Sequence, residues 1–194
     1  MLHVKSNLWQ AGYAVSMYSR SYDVITREQD FTDLGRAIHQ FKYWKLPPQD
    51  RDRIQNFCVV QLQKALLEAF GVELPFNYVV AVPPNRKDAH SLPPLLASDL
   101  AGRSKGKLES VNKLLYKKKE LPSMKNLSTE EKAKALSDAY GFKTNLPEPQ
   151  RGILIIDDIY DSGTTLRFVA RAIRDSYPNL PRFVLTLTAL KSNY

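Results

Sequence analysis

The chain has 194 residues, 43% of them hydrophobic, and 28 Lys and Arg against 20 Asp and Glu give a net charge of +8. This composition is typical of one globular domain with a full core, and no apolar run is long enough to span a membrane. The single Cys58 excludes an internal disulfide and a cysteine zinc site. Residues 1–10 are unlike a secretory signal, so we expect a cytoplasmic location.

The basic charge favours anionic partners, but it does not separate nucleic acid from a polyphosphate substrate. Apart from Lys117, Lys118 and Lys119, the Lys and Arg residues are scattered along the chain rather than grouped, which gives a dedicated nucleic-acid surface only weak support.

The first half of the chain predicts mostly helices. Residues 1–30 show no clear period and predict irregular or short β structure. Apolar residues at helical spacing predict one helix from residue 31 to the prolines at 47 and 48, and a second over 54–69. The β-branched run 78–82 predicts a strand, and 93–101 predict a short helix.

The second half alternates between strands and helices. Residues 103–127 are basic and irregular, with weak strand character near 114–116. A capping box at Ser128 and Glu131 predicts a helix that runs to about Tyr140. A strand from residue 153, a helix over 166–176 and a strand over 183–190 follow. This alternation predicts an α/β fold, a parallel sheet with helices on both faces.

Residues 153–165 carry the strongest functional signal. Four branched apolar residues run into Asp157 and Asp158, and then come a glycine-containing loop and a helical pattern. A loop that opens a helix gathers unpaired backbone N–H groups and the positive end of the helix dipole, so it binds anions. A strand, turn and helix without a ligand is the plainer interpretation. It does not explain two acids at the carboxyl end of a strand, where open α/β sheets place their sites.

This segment resembles the PRPP-binding motif of type I phosphoribosyltransferases. That motif is a hydrophobic run, two acids, a variable pair and a Thr/Asp-Ser/Thr-Gly-x-Thr loop, and every part is present in order. The resemblance implies the type I phosphoribosyltransferase fold, with a small amino-terminal hood and helical region over 1–70 and a core over 71–194. It also implies a Mg²⁺-dependent enzyme that transfers phosphoribose from PRPP to an acceptor nitrogen and releases pyrophosphate.

The resemblance assigns roles within the motif. Asp157 and Asp158 would contact the ribose 2′- and 3′-hydroxyls, and Mg²⁺ would lie on pyrophosphate and ribose oxygens. Whether the two acids also ligate the ion stays open. Asp161 is the catalytic candidate, because a carboxylate near the base can accept its ring proton, and it favours a purine-like acceptor. Its plainer role is to cap the loop. The loop that would bind the 5′-phosphate consists of Asp161, Ser162, Gly163, Thr164 and Thr165.

The loop after the strand 78–82 is a second anion candidate. Its two prolines have no N–H to donate, so the donors are Asn85, Arg86 and Lys87. In the resembling family this loop binds pyrophosphate; a solvated basic turn is the alternative.

Residues 110–143 match the mobile loop of that family by position only. Its lysines would close over pyrophosphate and exclude water, and a solvated charge run is an equally good interpretation. These lysines are Lys117, Lys118, Lys119 and Lys125.

Three further segments look like the ComF branch of phosphoribosyltransferase-like proteins. They are residues 37–43 (AIHQFKY), residues 81–85 (AVPPN) and the stretch from 127 to 142 that ends in AYGF. The chain departs from that branch in lacking its amino-terminal cysteine zinc ribbon, which puts any carried-over role in DNA uptake in doubt.

Two functions therefore stand side by side. One is a phosphoribosyltransferase with PRPP and an acceptor base as partners, in which a homodimer is expected because dimers are common among relatives. The other is a non-catalytic PRPP- or nucleotide-binding module in a ComF-like DNA-handling protein. The acceptor and the oligomeric state do not follow from the sequence.

Overall fold

The computed structural model describes residues 1–23, 25–84, 91–121, 127–147 and 149–190. The secondary-structure elements in these ranges comprise strands β1 to β10, helices α1 to α5 and one 3₁₀ turn. In chain order they are β1 (Leu2–His3), β2 (Ala11–Met17), β3 (Ser19–Tyr22), β4 (Gln29–Phe31), α1 (Asp33–Tyr43), α2 (Pro48–Phe70), β5 (Tyr78–Ala81), α3 (Leu92–Arg103), β6 (Glu109–Ser110), the 3₁₀ turn (Asn112–Leu114), β7 (Leu115–Lys117), α4 (Thr129–Leu136), β8 (Tyr140–Phe142), β9 (Ile153–Tyr160), α5 (Thr164–Ser176) and β10 (Arg182–Ala189).

The main sheet of the described chain has six strands in the order β1-β2-β10-β9-β5-β6. Strand β2 pairs with β10, β10 with β9, β9 with β5 and β5 with β6, all in parallel, whereas β1 pairs with β2 antiparallel. The predicted α/β class with a mainly parallel sheet is therefore confirmed. Two small antiparallel pairs, β3 with β4 and β7 with β8, lie outside this sheet.

Helices cover both faces of the sheet. One hydrophobic core joins the sheet to α1, α2 and α3, with Ile38, Leu62 and Leu96 fully buried in it; we call this side the α1–α3 face. The other core holds Leu136 of α4 and Val169 of α5, and we call it the α5 face. Strand β9 lies between the two, and its residues Ile153–Ile156 have no exposed surface. A four-residue apolar run therefore becomes the central strand because it is buried on both faces.

The helix predicted to reach Tyr140 is shorter than expected. Helix α4 begins at the predicted capping box but ends at Leu136, and Tyr140 belongs to β8. Asp138 has a φ of +52°, a left-handed conformation that a helix cannot continue through. Tyr140 instead pairs with Lys117 of β7, so a strand pairing replaces the last helical turn.

The amino-terminal region contributes to the main sheet as well as covering it. Strand β2 lies beside β10, so the sheet continues across the predicted boundary at residue 70. Helices α1 and α2 of the same region pack on the α1–α3 face. Among the helices described, none is long and apolar enough to cross a bilayer.

Candidate active site

The predicted phosphate loop connects β9 to α5. Gly163 caps the helix with a φ of +68°, in the left-handed region that glycine adopts without cost. A Cβ at this position would lie 2.7 Å from the hydroxyl oxygen of Tyr160 and 2.8 Å from its ring. The backbone therefore passes directly over a buried ring and brings the first turn of α5 to the end of the strand. Backbone N–H groups at the start of a helix have no partner within the helix, so this turn has the general features of an anion-binding site.

Two hydroxyls and one guanidinium lie in this loop. The hydroxyl oxygens of Ser162 and Thr164 are 2.7 Å apart. The Arg167 guanidinium donates from Nη2 to the Ser162 carbonyl oxygen at 3.0 Å and to Thr164 Oγ1 at 3.4 Å. Thr165 is partly exposed in the first turn of α5. Arg167 adds positive charge at the start of the helix. It was not predicted as a site residue. Its position three residues after Thr164 is the helical spacing that brings two side chains together, and this spacing could have indicated it.

The two acids of the motif lie on β9 itself rather than after it. Asp158 is buried, with 6% of its surface exposed, whereas Asp157 is partly exposed. The Nζ of Lys42, in the last turn of α1, lies 2.8 Å from Asp158 Oδ2. The backbone N–H of Asp158 donates to Asp157 Oδ1 at 2.9 Å. The acid pair of the motif is therefore in contact with a lysine that lies more than a hundred residues earlier in the chain. No local sequence pattern indicated this lysine.

Burial and charge shift the pKa values of this cluster. Burial raises the pKa of Asp157 above its ordinary range, the neighbouring charge of Asp158 raises it further, and Lys42 opposes both effects. Burial is the largest single effect on Lys42 and would lower its pKa, but the charge and hydrogen bond of Asp158, with the charges of Asp157 and Tyr43, together leave that pKa raised. Lys42 is therefore a permanent cation, and it partly neutralises the acid pair.

Asp161 makes an ion pair with a second helix. Its carboxylate Oδ2 lies 3.1 Å from the Nζ of Lys132 on α4, and 47% of its side chain is exposed. Helix α4 belongs to the segment predicted as the mobile loop, and Lys132 places this helix against the phosphate loop. Lys132 was missed because the prediction for this segment concerned the lysine run that precedes it.

The predicted loop lysines bond mainly within their own segment. Lys117 Nζ donates to the carbonyl oxygen of Pro84, three residues after the end of β5, and burial lowers the pKa of Lys117. Lys118 pairs with Asp138, and Lys119 Nζ donates to the Ser137 carbonyl oxygen at 2.7 Å. Lys117 thus places β7 next to the start of the predicted pyrophosphate loop. The other predicted residues of these two loops, Asn85, Arg86, Lys87 and Lys125, lie outside the described residues.

Comparison with known proteins gives structural likeness only. No family model and no curated protein matches the chain. Among solved structures, the xanthine-guanine-hypoxanthine phosphoribosyltransferase of Helicobacter pylori is 17% identical, with a TM-score of 0.44 over 73% of this chain and 77% of that chain. An adenine phosphoribosyltransferase is 18% identical, with a TM-score of 0.47 over 70% and 71%. The adenine phosphoribosyltransferase of Thermoanaerobacter pseudethanolicus is 15% identical, with a TM-score of 0.42 over 82% and 87%. These values are too low to assign the chain to a family.

Proposed function

We propose that the protein is a phosphoribosyltransferase that transfers phosphoribose from PRPP to an acceptor nitrogen and releases pyrophosphate. The observation that carries this proposal is the β9–α5 connection. There a left-handed glycine over a buried ring brings a helix N-terminus next to two carboxylates on the preceding strand. An anion site beside acceptors for hydroxyl groups matches a pentose 5-phosphate.

The phosphate loop would position the substrate. Backbone N–H groups of the first turn of α5 would hold the 5′-phosphate, and the Ser162 and Thr164 hydroxyls would donate to its oxygens. Arg167 lies against the same loop and would add a favourable charge. The acid pair would orient the pentose so that its C1′ faces the acceptor. Holding reactants in the right geometry can lower the barrier by about 7–11 kcal/mol.

Mg²⁺ would be the cofactor, supplied with the substrate. The donors that the site offers a cation are the two carboxylates of Asp157 and Asp158, and the second is already paired with Lys42. Mg²⁺ prefers oxygen ligands and is commonly held by one or two carboxylates together with substrate phosphates and water. The residues present therefore fit an ion that pyrophosphate brings into the site. When bound, it would stabilise negative charge on the leaving group.

Asp161 is the proposed general base. Its half-exposed carboxylate lies at the start of the phosphate loop and could accept the proton that the acceptor nitrogen loses. Lys132 donates to this carboxylate at 3.1 Å and so fixes its position at the start of the loop. A purine-like base remains the acceptor that we propose.

Pyrophosphate release is the direct test of this function. Purified protein with Mg²⁺ and PRPP is supplied with single nucleobases, and released pyrophosphate is measured with a coupled phosphate assay. We expect release with at least one base and none without PRPP. Binding of PRPP by calorimetry, without turnover on any base, would exclude the transferase.

A binding module is the second candidate, and one observation favours it. Asp158 and Asp161 are both ion-paired with lysines of the chain itself, which reduces the charge they can offer to a reaction. In this case PRPP or a nucleotide binds without turnover. Binding to single-stranded DNA that weakens steeply with salt would identify the DNA-handling form of this function. Cytoplasmic location and a homodimer stay predictions.

A further inference from the structure

An ion pair joins the amino-terminal helix α1 to the central strand. Lys42 Nζ and Asp158 Oδ2 are 2.8 Å apart, and the side chains of Lys42 and Asp158 are 35% and 8% exposed. A carboxylate buried to this degree needs a counter-charge, because the loss of its water is not otherwise compensated. Lys42 supplies that charge from the last turn of α1, where a cation also interacts favourably with the helix dipole.

The two acids of β9 lie on opposite faces of the sheet. In the strand before them, Ile153 and Ile155 belong to the core of the α5 face, and Leu154 and Ile156 belong to the core of the α1–α3 face. Successive side chains of a strand alternate in this way. The same alternation directs Asp157 toward the α5 face and Asp158 toward α1 on the α1–α3 face.

The charge of Lys42 reaches both acids, but the electrostatic contacts of the acids with the two cores follow this division. Burial and the charge of Asp157 raise the pKa of Tyr140, which lies on β8 in the core of the α5 face. Burial and the charge of Asp158 raise the pKa of Cys58, which lies on α2 in the core of the α1–α3 face. The phosphate loop leads into α5. Asp157 is therefore the acid on the side where the 5′-phosphate would bind.

We infer that Asp157 supplies the carboxylate to the pentose, and that Lys42 is a positioning residue that acts on it through Asp158. The path is short: Lys42 fixes the Asp158 side chain, and the Asp158 backbone N–H donates to Asp157 Oδ1 at 2.9 Å. This inference rests on the proposed function. It narrows the roles of the acid pair, because the resemblance assigned both acids to the ribose hydroxyls and the inference assigns this contact to Asp157.

The test compares isosteric variants in titrations of PRPP with Mg²⁺. Asp157→Asn removes a direct charged acceptor, and we expect its dissociation constant to rise by about tenfold or more. Asp158→Asn and Lys42→Met leave the Asp157 carboxylate in place but change its orientation and the charge around it, and we expect increases of about threefold. Lys42→Arg keeps the cation and should restore most of the affinity. Lys45→Met, which removes an exposed lysine just beyond α1, serves as the control and should leave the constant unchanged.

A double substitution separates positioning from a merely structural role. If Lys42 acts through the acids, Lys42→Met should cost nothing further in an Asp157→Asn background. Full additivity of the two losses would overturn the positioning role. A loss in Asp158→Asn as large as that in Asp157→Asn would overturn the division between the acids.

Unfolding measurements separate this inference from the proposed function. Urea unfolding of the Lys42→Met and Asp158→Asn variants and their double variant gives a coupling free energy that does not involve PRPP. If the two variants lower the free energy of unfolding non-additively, the ion pair between Lys42 and Asp158 is supported. Additive losses of this free energy would overturn the ion pair. A wild-type protein that binds no PRPP, combined with non-additive unfolding, would reject the proposed function and the role of Asp157 while leaving the pair between α1 and β9 established.

Discussion

Gly163 occupies a position where any side chain is disfavoured for two separate reasons. Its φ of +68° is a left-handed conformation, and a Cβ there would press against the buried ring of Tyr160 at 2.7–2.9 Å. The first effect costs about 1–2 kcal/mol for a residue other than glycine. The second resembles overpacking, which costs about 1–3 kcal/mol. We therefore expect Gly163→Ala to lower the free energy of unfolding by both amounts and to abolish PRPP binding, as measured by urea unfolding and calorimetry.

Two other glycines provide matched controls for this variant. Gly106 has a φ of +82° with nothing within 4 Å of a Cβ, so Gly106→Ala isolates the conformational cost. Gly102 lies in α3 with open space around it, and Gly102→Ala should be neutral or stabilising by up to about 1 kcal/mol. Equal losses in the Gly163 and Gly106 variants would show that the ring of Tyr160 does not support the loop.

At the scale of elements, the capping box of α4 determines where Lys132 is held. Ser128 Oγ accepts from the Glu131 N–H at 3.2 Å, and the Glu131 carboxylate accepts from the Ser128 N–H at 2.8 Å. Loss of such a cap costs about 1 kcal/mol. Ser128→Ala should therefore increase hydrogen exchange of the α4 amides and, through Lys132, loosen the contact with Asp161. Hydrogen exchange measured by mass spectrometry reports the protection of the α4 amides and of the loop that contains Asp161.

Ser91 is the matched control for the cap. It precedes α3 in the same position, yet among the described residues its side chain makes no capping hydrogen bond. Ser91→Ala should leave exchange in α3 unchanged. An α4 helix as well protected in Ser128→Ala as in the wild type would show that tertiary contacts, rather than the cap, define the helix.

The elements near the site differ in how far the sequence predicts them. Strand β9, its loop and α5 were predicted closely because strand, turn and helix signals are local and lie in one continuous stretch. The start of α4 was predicted from its cap for the same reason. Its end was not, because pairing between β7 and β8 competes with the last helical turn. Lys42 and Lys132 were missed because each reaches the motif from a distant helix, and only the packing of α1 and α4 brings them there.

The placement of β2 has a similar cause. Residues 1–30 were predicted as irregular or short β structure, which β1 to β4 agree with, but nothing local indicated that β2 would pair with β10 at the other end of the chain. Parallel pairing depends on contacts between distant segments, so it is decided by the whole fold. The amino-terminal region is consequently tied to the central sheet both by β2 and by the Lys42–Asp158 pair.

At the scale of the whole molecule, the reactivity of the only cysteine of the chain measures how often the packing of α2 against the sheet opens. Cys58 is fully buried on α2, and burial, with the charge of Asp158, raises the pKa of its thiol to about 12. A thiol reacts as its thiolate, so at pH 8 the native protein should react with Ellman's reagent only slowly, through transient opening of the structure. The urea-denatured chain should react rapidly with one equivalent, because the chain has one cysteine.

Ligand binding should slow this reaction further if it depends on unfolding of the sheet. A ligand at one hundred times its dissociation constant stabilises the native state by about 2.7 kcal/mol, which lowers the unfolded population by about a hundredfold. We therefore expect Mg²⁺ with PRPP at that concentration to reduce the rate of Cys58 modification by a similar factor. Mg²⁺ with ribose 5-phosphate tests the phosphate loop and the acid pair without the pyrophosphate group, and it should give a smaller reduction. Calorimetric binding without any protection of Cys58 would mean that α2 separates from the sheet while the phosphate loop stays intact, and the two faces would then be independent units of stability.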